Sequence, residues 1–472
     1  MAQASTSPSP LGPNRASASR FGKYAFFFII VTVFIDMMAF AVIMPSMPYL
    51  VAELLYGADS VTAAKAAEAA GDPTVLRNMI ADATPWGGYI TLVFAITNFL
   101  AQPVLGNLSD RFGRRPILLF SMGMLAIDFV IMGLAHTIWL LFLGRFLSGI
   151  SAATHSTAAA YIADTTEPQN RGQAFGMLGA AFGLGFILGP AIGGYLGKFD
   201  PRWPFFAAAA FAGLNFLYGA FVLPESLDRE HRRKFDWKRA NAFGAFKHFS
   251  KVPYLAWFML ALGLFNFSHW VYPSTFNYYA AVNFDWDPDM IGIALAVVGV
   301  GSAVVQGGLV GKIIKKFGPT RTVIFGFLVC IATFAAYSVA PAGWVVFIII
   351  PFGALGGVLG PALNQIMSAR APKNAQGELQ GAIASVQALA NVFAPLAMTQ
   401  TFFFFTHSSA PAYFPGAAFA LAAIVCTISL IPLIQGLRTV PKVEEQPADP
   451  FGEAVPEAGL SSEAPKSAPQ SA

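Results

Sequence analysis

Asp36, Asp128 and Arg145 lie deep within apolar runs of this sequence, and His155 is a fourth ionisable residue in such a run. An ionised side chain in hydrocarbon costs several kcal/mol unless it is paired, hydrated or protonated. A carboxyl that takes up and gives back a proton is the chemistry of a proton relay. An Asp and an Arg can equally form a structural pair between packed helices. For Asp36 the relay is the stronger reading; for Asp128, with Arg145 nearby in sequence, the two stand level. His155 titrates near neutrality if unperturbed, although a packed, hydrogen-bonded His is the commoner case. Asn98, Gln102, Asn266, His269, Gln306, Asn364, Gln365, Gln387 and Asn391 could hold the polar parts of a small molecule. Amides in such runs also serve as glue between helices.

A second set of charges is crowded into "GNLSDRFGRRP" (106–116), in a chain that is 56% apolar and 11% charged. Gly106 and Gly113 allow a tight turn and close helix approach. Arg111, Arg114 and Arg115 can fix the side of a membrane on which the loop stays. Asp110 is not explained that way, because acidic residues contribute little to topology.

These residues need elements to position them, and composition says which. Soluble chains carry about 25% charged residues; this one has less than half that, and its apolar stretches each exceed the roughly 20 helical residues that cross a bilayer core. The spans expected are 24–52, 85–105, 116–136, 138–163, 171–197, 203–223, 253–281, 288–311, 321–340, 343–368, 378–404 and 411–437. The first is too long for the apolar region of a signal peptide, and no small-residue cleavage site follows it. The fold class is therefore an all-α polytopic membrane protein of twelve transmembrane helices. Cys330 and Cys426 both sit in apolar runs, so neither a disulfide framework nor a metal site is supported, and no cofactor motif is present. A net charge of +4 is too small to suggest nucleic acid.

Lys and Arg cluster on one side of this topology: Arg15, Arg20 and Lys23, the 106–116 loop, Arg171, the stretch 229–251, Lys312 to Arg321, Arg370, Lys373 and Arg438. The other side holds Lys65, Arg77, Lys198 and Arg202. Positive loops remain cytoplasmic, so both termini are expected there. Residues 1–23 and 438–472, rich in Ser, Pro, Ala and Glu, are expected to be disordered tails. Residues 224–252 are expected to be a solvated cytoplasmic linker. The external loop 53–84 contains "SVTAAKAAEAA", whose helix formers suit a short surface helix.

The chain also repeats itself. Gly106, Phe112 and Gly113 recur as Gly311, Phe317 and Gly318, each 205 residues on, and Gly172 and Gly176 recur as Gly377 and Gly381 at the same offset. Two landmarks at one offset imply two pseudo-symmetric six-helix bundles, 24–223 and 253–437. Paired bundles rocking about a midplane site are an architecture of secondary transporters.

With these features the sequence resembles the major facilitator superfamily over its whole membrane region. The resemblance implies that Asp110 faces the start of span eleven, near Gly377–Ala382, and that Arg114 pairs with Asp164, forming a cytoplasmic gate with Gly106, Arg111, Gly113 and Arg115. "GLGFILGPAIGG" (183–194) is similar to the antiporter-associated motif through Gly185, Gly189, Pro190, Gly193 and Gly194. "FIDMMAFAVIMPSMPYL", "AYIADTTEPQNRG" and "RWPFFAAAAFAGLNFLYGAFVLPES" resemble the tetracycline/proton antiporters. That likeness implies that Asp36 lines the cavity, that Asp128 is an embedded acid, and that Arg145 with Gly149 belongs to proton coupling. The chain departs from the group in its C-terminal half, where Ser302 and Cys330 occupy the places of the pumps' coupling His and Asp.

The expectation is a proton-coupled antiporter, a monomer in a bacterial inner membrane, that exports a small amphipathic compound by alternating access. A proton-symport importer of a metabolite and a transport-inactive sensor are the alternatives. No phosphate-binding loop for ATP and no catalytic or metal-ligand grouping points to an enzyme.

Overall fold

The computed structural model describes residues 14–152, 154–166, 170–227, 229–233, 235, 253–371 and 376–439. Eleven helices are long and apolar enough to cross a membrane, and a bent pair, Phe27–Val42 and Met47–Tyr56 at 44°, supplies a twelfth span. No strand occurs among the described residues. Spans two to six are Thr74–Phe112, Arg114–Gly133, Ile138–Thr165, Gly176–Phe199 and Trp203–Val222. Spans seven to twelve are Leu255–Phe284, Pro288–Phe317, Pro319–Ser338, Gly343–Arg370, Leu379–Thr406 and Ala417–Thr439. Helix is what such sequences must form, since a bilayer core offers no water to backbone N–H and C=O groups.

Three boundaries differ from the sequence expectation. The first helix begins at Asn14, so the N-terminal tail is shorter than 1–23. Extending an existing helix through "NRASASRFGKY" costs little once the apolar run has nucleated it. Most of the expected loop 53–84 is helical. Met47–Tyr56 completes span one, Ala58–Ala69 forms the surface helix and span two already starts at Thr74. Gly57 and Gly71, with φ of 86° and 99°, supply the turns between them. The linker departs from a purely solvated strand at its beginning, where Arg233 N–H donates to Asp110 O at 3.0 Å. Residues 1–13, all of 236–252 and the tail after Thr439 lie outside the described residues.

The internal repeat is visible in the backbone. Gly113 joins spans two and three at φ 110°, and its counterpart Gly318 joins spans eight and nine at φ 77°. Each glycine N–H closes the preceding helix, onto Ser109 O at 3.1 Å and Ile314 O at 2.9 Å. Those acceptors are also 205 residues apart. Both halves thus end the second helix of their bundle with one backbone device, open to glycine and strained for other residues.

Spans five and eight, and spans two and eleven, pack along the seam between the halves. Small residues permit this. A Cβ on Gly194 would stand 2.5 Å from Pro288 O and 3.0 Å from Gly292 Cα across the seam. Within the N-terminal half, a Cβ on Gly193 would overlap the Val42 carbonyl of span one. The glycine-rich motif of span five therefore serves two neighbours, with Gly185, Gly189 and Gly193 against span one and Gly194 against span eight.

The first span of each group of three is interrupted. Span one bends at 43–46, span four leaves the helix at Ala152 and resumes it at Thr154, span seven breaks at Trp270 and span ten carries a 3-10 turn at Gly356–Val358. Span eight adds a π-turn at Val305–Leu309. Irregular backbone at membrane depth is tolerated where it is buried in protein or lines a cavity.

Candidate transport site and gates

The intramembrane charges separate by environment. Asp36, in the helix before the bend of span one, is half-buried and is hydrogen-bonded to the side chain of Thr154. Thr154 is the first helical residue after the break in span four, so the break brings the start of Thr154–Thr165 to Asp36. His155 follows it directly; its side chain lies outside the described residues. Asp128 in span three is fully buried and accepts from the Ser148 hydroxyl of span four. Arg145, also buried, lies one turn before Ser148 and sits over the Phe94 ring at 5.9 Å. The partner of Asp128 is thus a hydroxyl on the same helix as Arg145. Span four can come this close to span two because Gly149 faces Phe94 O and Thr97.

The polar residues of the spans divide likewise. Asn266 Nδ2 donates to Leu262 O at 2.8 Å, Gln380 Nε2 donates to Asn364 Oδ1 at 3.1 Å, and Trp270 Nε1 donates to Asn391 Oδ1. Asn364 and Asn391 thus tie neighbouring spans, while Asn266 bonds back to its own helix. Gln102, His269, Gln306, Gln365 and Gln387 are exposed, and Asn98 is half-buried with an unpartnered Oδ1. Gln306 belongs to the π-turn of span eight, four residues after Ser302. Cys330 is buried, its sulfur packed where a Cβ on Gly356 of span ten would stand. Among the described residues no cluster of acids, His and Cys could hold a metal ion.

At the loop 106–116, Arg114 binds two acids. Its Nε lies 3.1 Å from Asp164 Oδ2 and its Nη1 lies 2.6 Å from Asp110 Oδ1. The Arg114–Asp164 pair is the one the sequence led us to expect. Asp110 instead pairs one turn along its own chain, within the N-terminal half. Glu225, which the sequence did not single out, accepts from Arg114 N–H at 2.8 Å and faces Arg232 at 3.8 Å. Gly113 leaves room for that carboxylate. Arg115 donates to Ala220 O at 2.7 Å, Arg111 is exposed and Gly106 is open. The side chain of Glu378, at the start of span eleven, lies outside the described residues.

The opposite end, which carries 57–84, is where polar groups join the halves. Arg77 grips Asp285 with both Nε and Nη2, the former at 2.5 Å. Asn277 Nδ2 donates to Met44 O at 2.7 Å, Tyr49 OH donates to Trp286 O, and Lys198 approaches Asp289 at 3.7 Å. Asp285 adopts φ 54°, a left-handed conformation that ends span seven and turns its carboxylate toward Arg77. Glu68 of the surface helix lies close by; burial first, then the charge of Asp285, push its carboxyl up, opposed by Arg77 and Lys65. The sequence showed these charges but not their pairing, because Arg77 and Asp285 are 208 residues apart.

Residues 29–395 match the sequence model of the Major Facilitator Superfamily. The chain belongs to the Major Facilitator Superfamily. Among its relatives are the class C tetracycline resistance protein of Escherichia coli, 36% identical over 66% of this chain and 78% of the relative, and the class B protein of the same organism, 35% identical over 69% and 81%. Multidrug resistance protein 2 of Bacillus subtilis is 30% identical over 65% and 78%. Among solved structures, the human organic anion transporter MFSD10 superposes with a TM-score of 0.62 at 22% identity, covering 87% of this chain and 99% of its own. The nucleoside transporter NupG gives 0.66 at 11% identity, covering 88% of this chain and 98% of its own. This superfamily member is an integral membrane transporter with twelve spans in two bundles.

Proposed function

We propose that this superfamily member is a proton-coupled antiporter that exports a small amphipathic compound by alternating access from a bacterial inner membrane, with both termini cytoplasmic. The observation that carries the reading is Asp36. It is a half-buried carboxyl inside span one, joined through Thr154 to the broken span four. A carboxyl so placed can exchange protons with the space between the bundles, and its protonation alters a contact between two interrupted spans. The relatives named tetracycline resistance proteins support a drug as the exported compound. With the basic loops inside, the end tied by Arg77–Asp285 is external and the 106–116 end is cytoplasmic. The conformation is then closed outside, with the cytoplasmic charges held in their own half and free to engage span eleven when that end closes.

The test is proton release from acid-loaded inverted vesicles containing the purified protein, challenged with tetracyclines, cationic dyes and fluoroquinolones. Proton efflux on adding a compound, absent in Asp36→Asn, is expected. Silence across the panel from folded protein would move the reading to a dedicated metabolite transporter. Unchanged efflux in Asp36→Asn would remove Asp36 from coupling.

A further inference from the structure

The six spans of the C-terminal half contain one ionisable Asp, Glu, His, Lys or Arg away from their ends, and it is His269. It sits midway along Leu255–Phe284, immediately before the break at Trp270. Its ring lies 5.5 Å from Phe265, 5.2 Å from Tyr272 and 6.5 Å from Phe334. Phe334 is 0% exposed and Phe265 is 9%, yet His269 itself is exposed. An exposed polar side chain among buried neighbours opens onto an internal space, since a lipid-facing residue would share its exposure with them. Span seven is, moreover, an interrupted span of the kind that lines such a space.

We infer that His269 is the proton-carrying residue of the C-terminal half, taking up and releasing a proton at the central cavity in place of the carboxyl that this half lacks. The inference rests on the antiporter reading above. It also answers the presence of Ser302 and buried Cys330, neither of which can carry a proton through this cycle. The titratable group packed on the ring is Tyr272 of its own span, which in turn faces Tyr337 and Cys330 on span nine and Cys426 on span twelve. None of them is a carboxylate that would hold the imidazolium permanently. The proton on His269 is therefore governed by hydration and by competition with a cationic substrate in the cavity. The rings of Phe265, Tyr272 and Phe334 fix the imidazole, and the Trp270–Asn391 hydrogen bond ties the break to span eleven. A change of charge at His269 can thus act on a span at the seam. In the N-terminal half Asp36 has the matching position, on an interrupted span and in contact with the next interrupted one.

Two measurements on the full-length protein in liposomes test this. The first is modification by diethyl pyrocarbonate, which attacks the neutral imidazole, read by mass spectrometry of the His269 peptide across about pH 5 to 9. It needs no substrate. His269 should react, with a rate that rises through a single titration. An unreactive His269, or a rate without titration, overturns the inference. The second is tetracycline accumulation against counterflow. A gradient of about one pH unit sustains about a tenfold accumulation for each coupled proton. His269→Gln should lose about tenfold in accumulation and a clearly smaller factor in counterflow, while His269→Asp should restore accumulation with an optimum moved to acid pH. Wild-type accumulation in His269→Gln, or equal loss of both activities in both variants, overturns it. Failure of the wild type to move tetracycline in either assay would count against the substrate and the antiporter reading, and the modification experiment would still decide the chemistry of His269.

Discussion

At the end of the molecule that carries 57–84, charges join the two halves; at the 106–116 end, charges join neighbours within one half. Arg77 reaches Asp285 across the seam, whereas Arg114 gathers Asp110 and Asp164 from its own bundle. Both sites use an Arg between acids, and both are partly exposed. The difference lies in which bodies the pair connects. On the alternating-access reading proposed above, a pair across the seam would stabilise one arrangement of the halves and break for the other, as a gate does. A pair within a bundle survives the motion and keeps its acids poised. Partly exposed pairs are each worth at most about 1 kcal/mol, which would suit contacts that form and break in the proposed cycle. The larger contribution at the tied end comes from close packing of spans five and eight at Gly194 and Gly292.

The largest expected effect therefore comes from packing at the seam. Gly194→Val puts atoms where Pro288 O and Gly292 Cα lie, and overpacking of this kind costs about 1–3 kcal/mol. Spin labels at exposed Thr62 and Ala412 should show the tied end opening by about tenfold or more in population, with transport lost and expression retained. Gly176→Val, at a position with no neighbour within 4 Å, should leave the distance distribution unchanged. If both variants behave alike, the packing explanation fails.

Charge reversal comes next. Arg77→Asp places a third carboxylate near Asp285 and Glu68, and the same labels should report about a fivefold to tenfold shift toward the open form. Combining it with Asp285→Arg should return the distribution toward wild type. A double variant as open as the single one would mean that Arg77 and Asp285 act separately.

At the other end the effect should be smaller and opposite in sign. Asp110→Asn removes the charge available to the N-terminus of span eleven, an interaction worth about 0.3–1 kcal/mol. Labels on the 106–116 end should show its closed population falling about twofold to fivefold. An unchanged distribution would confine Asp110 to its bond with Arg114.

The smallest effect concerns pH. Glu68 is raised above the ordinary carboxylate value while the halves are joined, first by burial and then by Asp285, and opening carries Asp285 away. A group whose value is raised in one state stabilises that state below its ordinary value and loses that contribution as pH rises through the raised one. The tied end should therefore loosen slightly as pH rises just above the usual carboxylate range. Glu68→Gln should abolish that component in the Thr62–Ala412 distance measured against pH.

Much of this protein was determined by the sequence alone. Runs of apolar residues longer than a bilayer is thick admit no other backbone than helix, so twelve spans could be counted and most of their ends placed to within about two turns, the starts of spans one and two excepted. Gly113 and Gly318 showed the repeat because a positive φ demands the same residue in both copies. Asp36, Asp128, Arg145 and His155 stood out because charge in hydrocarbon needs a reason. The tertiary structure decided what those residues face. Each residue turns a helix by about 100°, so a contact across the bundle depends on the rotation and tilt of two helices whose sequences are hundreds of residues apart. That is why Asp128 was found with Ser148, Asp110 with Arg114 and Arg77 with Asp285. Rotation and packing, to which composition is blind, separated the amides bonded to protein from those left exposed and settled which end of the molecule is tied.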